Sequence, residues 1–422
     1  MKLAVVGGGS TYTPELVDGL GRLRDELDVD ELALMDTSAD RLELVGGVSR
    51  RILAHLGHPA RVTTSTDLGA AVADADAVLV QLRVGGQATR DADETWPLEC
   101  GCVGQETTGA GGLAKALRTV PVALDIADQV RKSNPDAWIV DFTNPVGIVT
   151  RALLQAGHRA VGLCNVAIGF QRRFAAMLEV TPERVGLDHV GLNHLTWERA
   201  VLLDGVDVLP TLLRDRLESI AEEVELPAAV VGRLRSVPSY YLRYFYAHDE
   251  VVRELRSRPS RAKEVAAIER ALLDLYADPT VVEKPAELEK RGGAYYSEAA
   301  VALLASLLGR GARAGESRVH VVNVANNATL PFLDDDHVIE VSARVGSAGA
   351  QALPVAPVEP VYAGLIAHVA AYERLALEAA LKGGRDRVFA ALLAHPLVGQ
   401  IDRAEHLTDS LLAHNRQFLG WA

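Results

Sequence analysis

An apolar run, Leu3-Ala-Val-Val6, passes directly into Gly7-Gly-Gly-Ser-Thr-Tyr-Thr-Pro14 and then into a helical pattern. A strand that turns through glycines into a helix is the opening of a βαβ unit, and it constrains the fold more than any other stretch here. Glycines at the bend let backbone amides approach a pyrophosphate, and the helix N-terminus favours its negative charge. Gly7 and Gly9 fit the G-x-G-x-x-G spacing, with Ser10 and Thr11 completing the candidate cofactor loop; Tyr12 stands where the third glycine belongs. Thr13 is the expected cap, Pro14 the first-turn residue, and the helix is expected to reach about residue 27.

The next strand, Leu32-Ala-Leu-Met-Asp36, ends in an acid placed to bond a ribose diol, and Arg41 is a further cofactor-binding candidate. Asp36 could equally cap the helix that follows from Ala39. An acid rather than an arginine at this position points to NAD over NADP. Strands at 61–64 and 77–82, separated by helical stretches, predict an α/β fold with an N-terminal Rossmann-like doubly wound parallel sheet. Two glycine-bearing loops are expected to line or cover a site: 83–90, with Arg83 and Arg90, and 104–112, with Glu106. Trp138-Ile-Val-Asp-Phe142 is a fifth strand leading to Thr143-Asn-Pro145, where Asn144 either faces the strand-end crevice or simply forms the turn.

A sixth strand ends at Val161-Gly-Leu-Cys-Asn165, and a later apolar run ends at Gly191-Leu-Asn-His194. A thiolate and an imidazole at strand ends can share a divalent metal. On spacing alone, a buried cysteine and a hydrogen-bonded core histidine fit as well. Residues 1–165 are therefore read as the NAD-binding domain, and 166–422 as an interwoven α+β domain for substrate, metal and oligomerisation. In that second part, 185–192 and 196–203 are expected in a separate antiparallel sheet, 210–277 in helices, and the chain from Pro360 onward in helices. Four tyrosines crowd Ser239-Tyr-Tyr-Leu-Arg-Tyr-Phe-Tyr246, most of them for core packing. Arg261 sits at an expected helix start, on an anion-friendly terminus or a solvated basic face, and 291–297 is another loop opening a helix.

Net charge of -13 argues against a nucleic-acid partner. Three cysteines in 422 residues provide no disulfide framework. With no basic-then-apolar leader and no long apolar span, the expectation is a soluble cytoplasmic chain without a membrane partner.

Taken in order, Val6-Gly-Gly-Gly-Ser-Thr-Tyr-Thr-Pro-Glu-Leu16, Gly104-Gln-Glu-Thr-Thr-Gly-Ala-Gly-Gly112, Phe142-Thr-Asn-Pro145, Gly162-Leu-Cys-Asn-Val166, Gly191-Leu-Asn-His194 and Lys290-Arg-Gly-Gly293 resemble the NAD- and metal-dependent glycosidases of glycoside hydrolase family four. Cys-Asn-Val is similar to the branch acting on 6-phospho-β-glucosides, although Ala167 replaces a proline common there. The resemblance implies that Cys164 and His194 hold a divalent metal, usually manganese. It implies Tyr241 as the base, with Glu106 near it raising its basicity. It places the sugar or its phosphate on Arg90, Asn144 and Arg261, with Arg83 and Arg291 as further candidates, in a homodimer or homotetramer. The implied reaction is oxidation at sugar C3 by NAD, metal-assisted loss of the C2 proton, elimination of the aglycone, addition of water and re-reduction. Two other readings compete. A malate/lactate-type dehydrogenase would need a His/Asp relay, and a non-catalytic NAD-binding sensor would need neither metal nor base.

Overall fold

A computed structural model of the chain describes residues 1–292, 295–310 and 315–422. Gly293 and Ala294, within the expected 291–297 loop, lie outside the described residues. The strands are β1 (Lys2–Val6), β2 (Glu31–Met35), β3 (Arg61–Ser65), β4 (Ala77–Val80), β5 (Trp138–Asp141), β6 (Ala160–Gly162), β7 (Val185–Leu192), β8 (Leu195–Leu203), β9 (Val206–Asp207), β10 (Val237–Pro238), β11 (Arg318–Ala325), β12 (Val338–Gly346) and β13 (Gly349–Ala352). Their order across the sheet is β3-β2-β1-β4-β5-β6-β11-β12-β7-β8-β10. The first six are parallel, in the order of a dinucleotide-binding fold. β4 and β5 are buried along their whole length, as strands covered by helices on both faces must be.

Strands β7 and β8 are antiparallel, as expected, yet they do not form a separate sheet. β12 joins them to β11, and β11 pairs with β6 at the single register pair Asn323↔Gly162. One continuous sheet therefore crosses the boundary expected at residue 165.

Three local expectations are corrected. The first helix is Thr13–Arg22, shorter than expected, and Thr13 lies inside it rather than capping it, its hydroxyl accepting from Gln81 Nε2 (3.0 Å). Arg90 sits on a helix, Gly86–Glu99, and not in a loop. The glycines at 109–112 open the long helix Gly109–Ser133 and are buried. A Cβ on Gly111 would lie 2.4 Å from the Gln105 carbonyl oxygen, so these glycines serve close packing rather than mobility. The helices Pro360–Lys382, Arg385–Ala394 and Ile401–Asn415 close the chain, with Ile366, Leu392 and Leu407 in the core. Among the described residues, no helix is long and apolar enough to cross a membrane.

Candidate active site

A cavity of ≈ 920 Å³ opens at the carboxyl ends of β1, β2, β4, β5 and β6, where the strand order reverses between β1 and β4. Open α/β sheets bind ligands at such a switch point. Gly7, Ser10, Asp36 and Arg41 line its cofactor side. Gly7 has φ +88°, and a Cβ there would meet the Gln81 carbonyl oxygen at 2.5 Å. Gly9 lies behind the lining: its N–H donates to Asp36 Oδ2 (3.1 Å) and its carbonyl accepts from Arg41 Nε (2.8 Å). The helix after β2 is capped by Ser38, not by Asp36, whose other oxygen accepts from the Ser38 N–H. Thr11 is turned away from the cavity; its hydroxyl bonds Glu269 (3.3 Å). This glycine bend with a strand-end carboxylate fits a dinucleotide.

One wall is a cluster of cations. Glu106 Oε2 takes the Lys115 ammonium at 2.7 Å and a hydrogen bond from Arg83 Nη1, while Oε1 lies 3.2 Å from Arg90 Nε. Burial opposes ionisation, but Arg83, Lys115 and Arg90 hold the Glu106 carboxyl well below the usual range. Burial pushes Lys115 down to about 8. Arg90 also bonds Glu94 (2.7 Å), so three cations face two carboxylates. Arg291 joins this wall, paired with Glu269 at 2.9 Å and lying over the Tyr12 ring. Asn144 lines the cavity with its Oδ1 buried and unpartnered, a free acceptor for a ligand hydroxyl. Arg261 is not brought in. Its exposed guanidinium pairs with Glu264 and donates to the Lys290 carbonyl, so the expected substrate contact is not made within this chain.

The opposite wall carries Cys164, His194 and Tyr241. Cys164 follows β6 at the start of the helix Val166–Leu178. Burial pushes its thiol up to about 12, against backbone N–H groups of Val166 and Asn165 and the Asn193 amide, all of which favour the thiolate. His194 is the second residue of the two-residue turn joining β7 to β8, with φ +64°. Gly191 before it cannot be replaced, since a Cβ would fall 2.0 Å from the Leu195 carbonyl oxygen. Burial lowers His194 to about 4, so its ring is neutral. The Thr107 hydroxyl donates to Gln105 Oε1 and so accepts from His194 Nδ1–H (3.1 Å), leaving Nε2 as the nitrogen with a free lone pair. Tyr241 stacks on this imidazole, ring centroids 3.6 Å apart. Burial first, then the charges of Cys164, Tyr244 and Glu106, push its phenol well above the usual value. A neutral imidazole and a thiol surrounded by N–H donors fit a divalent cation, which would draw off both the thiol and phenol protons. Among the described residues, no cluster of three or more His, Cys, Asp or Glu forms a complete metal cage, so further ligands would come from substrate or water.

Lys115, Thr107, Glu269 and Glu340 escaped the sequence reading. Lys115 and Glu340 each leave one trace, a lone charge inside an apolar run: Gly112-Leu-Ala-Lys-Ala-Leu117 and Val338-Ile-Glu-Val341.

Residues 2–180 match the family model described as family 4 glycosyl hydrolase, and 189–398 match that of its C-terminal domain. The chain belongs to family 4 of the glycosyl hydrolases. It is 36% identical to the probable 6-phospho-beta-glucosidase of Bacillus subtilis, over 99% of this chain and 97% of that one. The 6-phospho-beta-glucosidase structure from Thermotoga maritima with manganese, NAD+ and glucose-6-phosphate superposes with TM-score 0.91 at 34% identity, covering 99% of each chain. Malate dehydrogenase from Salinibacter ruber shares the fold at TM-score 0.54 and 17% identity, over 92% of this chain and 99% of that one. The family 4 cavity thus sits where that shared fold places its strand-end crevice.

Proposed function

We propose that the chain hydrolyses 6-phospho-β-glucosides, using NAD and a divalent cation, Mn²⁺. The observation that carries this reading is the stack of Tyr241 on His194 beside Cys164, facing the Arg83–Arg90–Lys115–Arg291 wall across one cavity. Similarity to the Bacillus subtilis and Thermotoga maritima proteins supports the substrate class and both cofactors.

Cys164 and His194 Nε2 would hold the metal, and the Gly7–Ser10 bend with Asp36 and Arg41 would hold the dinucleotide. When bound, the two supply reversible hydride acceptance and Lewis-acid polarisation of sugar oxygens. The cationic wall binds the phosphate and fixes the sugar. Arg90 and Arg83 are oriented by Glu106, and Arg291 by Glu269. Asn144 Oδ1 accepts from a sugar hydroxyl. Tyr241 takes the proton from sugar C2, the aglycone leaves C1 with its oxygen, and water then adds at C1. We read 1–165 as the cofactor-binding half and 166–422 as the half that brings Tyr241, His194 and Arg291 to it. We also read the chain as a cytoplasmic homodimer or homotetramer, on family likeness and on exposed Val361, Leu381 and Ile401 of the C-terminal helices. Light scattering tests the assembly.

Among the described residues, the cavity lining holds no hydrogen-bonded His/Asp pair of the kind the dehydrogenase reading needs. His189, paired with two carboxylates, is buried away from the cavity lining. Release of p-nitrophenol from its 6-phospho-β-glucoside, measured with and without NAD, Mn²⁺ and a reductant, decides the matter. We expect activity that needs both cofactors and leaves no net NADH. NADH accumulating on small hydroxy acids, with no p-nitrophenol released, would overturn the reading.

A further inference from the structure

Glu340 is a lone acid in β12, among Val338, Ile339 and Val341, all buried. A carboxylate in that setting is costly unless every oxygen is satisfied. Oε1 faces His189 Nε2 (3.0 Å), and Oε2 accepts from Asn193 Nδ2 (2.7 Å) and Asn323 Nδ2 (2.8 Å). His189 Nδ1 in turn bonds Glu198 Oε1 (2.6 Å), and Glu198 Oε2 is buried with no partner. The two carboxylates hold the His189 imidazole well above its ordinary value, up to about 10. Burial raises the Glu198 carboxyl above its usual value, whereas Glu340, buried as fully, is held below its usual value by His189, Asn193 and Asn323.

The trio reaches beyond the strands it joins. Its connection runs to the metal half-site. The Asn193 amide bonds both Glu340 and the Cys164 thiol. Asn193 is also the residue before His194 in the two-residue turn. One side chain thus touches one ligand and sets the backbone of the other, and Glu340 holds that side chain. We infer that Glu340, braced by His189 and Glu198, is a positioning residue for the metal: through the Asn193 amide it orients Cys164 and His194 together. This rests on the reading of Cys164 and His194 as ligands.

The test is Mn²⁺ affinity without NAD or substrate, read from the electron paramagnetic resonance of free Mn²⁺, with thiolate-to-metal absorption of the Co²⁺ form as a second readout. Glu340→Gln should weaken binding by about ten- to a hundredfold, the range for outer partners of ligands. Asn193→Ala, which leaves the Glu340–His189–Glu198 bonds in place, should do the same and alter the Co²⁺ absorption, so the question survives if the first variant fails to fold. NAD binding should stay as in the unsubstituted chain. Equal Mn²⁺ affinity in folded Asn193→Ala would overturn the inference alone. No Mn²⁺ binding by the unsubstituted chain would overturn the metal reading and the inference with it. A parallel loss of NAD binding would mark the trio as structural and sink the inference too.

Discussion

The two walls of the cavity solve opposite electrostatic problems. On the Glu106 wall charge is held by opposite charge inside the protein: a buried carboxylate stays ionised because Arg83, Lys115 and Arg90 surround it, and the three cations share two acids. On the Cys164 wall burial drives every group to its neutral form, with the thiol and phenol raised and the imidazole lowered. The first wall is preorganised for an anion and changes little when one arrives. In the proposed reading the second receives a cation, on which its acid–base chemistry would depend. Position and chemistry are thereby divided between the walls, and a substitution on one should leave the other's signature intact.

The largest effect should come from Tyr241→Phe, which removes the proton acceptor while keeping the ring stacked on His194. We expect kcat to fall by about 10²- to 10⁴-fold, the range for a lost general base. KM for the phosphorylated glucoside, set by the other wall, should be unchanged, and a matching rise in it would erase the division between the walls. Next, Arg90→Met should raise KM for a phosphorylated glucoside by about ten- to a hundredfold, as loss of a charged hydrogen bond predicts. KM for the unphosphorylated analogue should not move; an equal rise for both would show that this wall does not read phosphate. The smallest effect is a pH step. Lys115 loses its proton near pH 8 in the folded chain, below its ordinary value of 10.5. Between those values the unfolded chain binds the extra proton, so this group's contribution to stability rises with pH while the wall loses one charge. KM for the phosphorylated substrate should therefore climb a few-fold (~1 kcal/mol or less) from about pH 7 to 9, and Lys115→Arg should flatten the step. A step that persists in that variant would assign it to another group.

The parallel half of the fold was legible because its signals are local: an apolar strand, a glycine bend, a helix, and an acid at the end of β2. Cys164, His194 and Tyr241 were found by motif, and the structure brings all three to one cavity from β6, the β7–β8 turn and the tyrosine run. The single sheet was not legible, because the β6–β11 link is one register pair between residues far apart in sequence. Lys115 and Glu269 were missed for a similar reason. Each matters through partners on other elements: Glu106 for the first, and Arg291, Gln87 and Thr11 for the second. Arg261 is the converse case, a helix-start cation whose neighbours are Glu264 and the Lys290 carbonyl. The glycines at 109–112 resembled a mobile loop because composition alone does not separate flexibility from close packing.

The Asn323↔Gly162 pairing has a consequence for what turnover measures. The bend from Gly7 to Ser10, with Asp36 and Arg41, belongs to the parallel strands, whereas His194 reaches the cavity from the antiparallel strands joined to them at that seam. Gly162 admits no side chain there: a Cβ would stand 2.8 Å from the Asn323 Cβ and closer still to the Thr150 hydroxyl. Asn323 in turn spends its amide on Glu340. Turnover therefore reports on that long-range assembly as well as on the glycine bend.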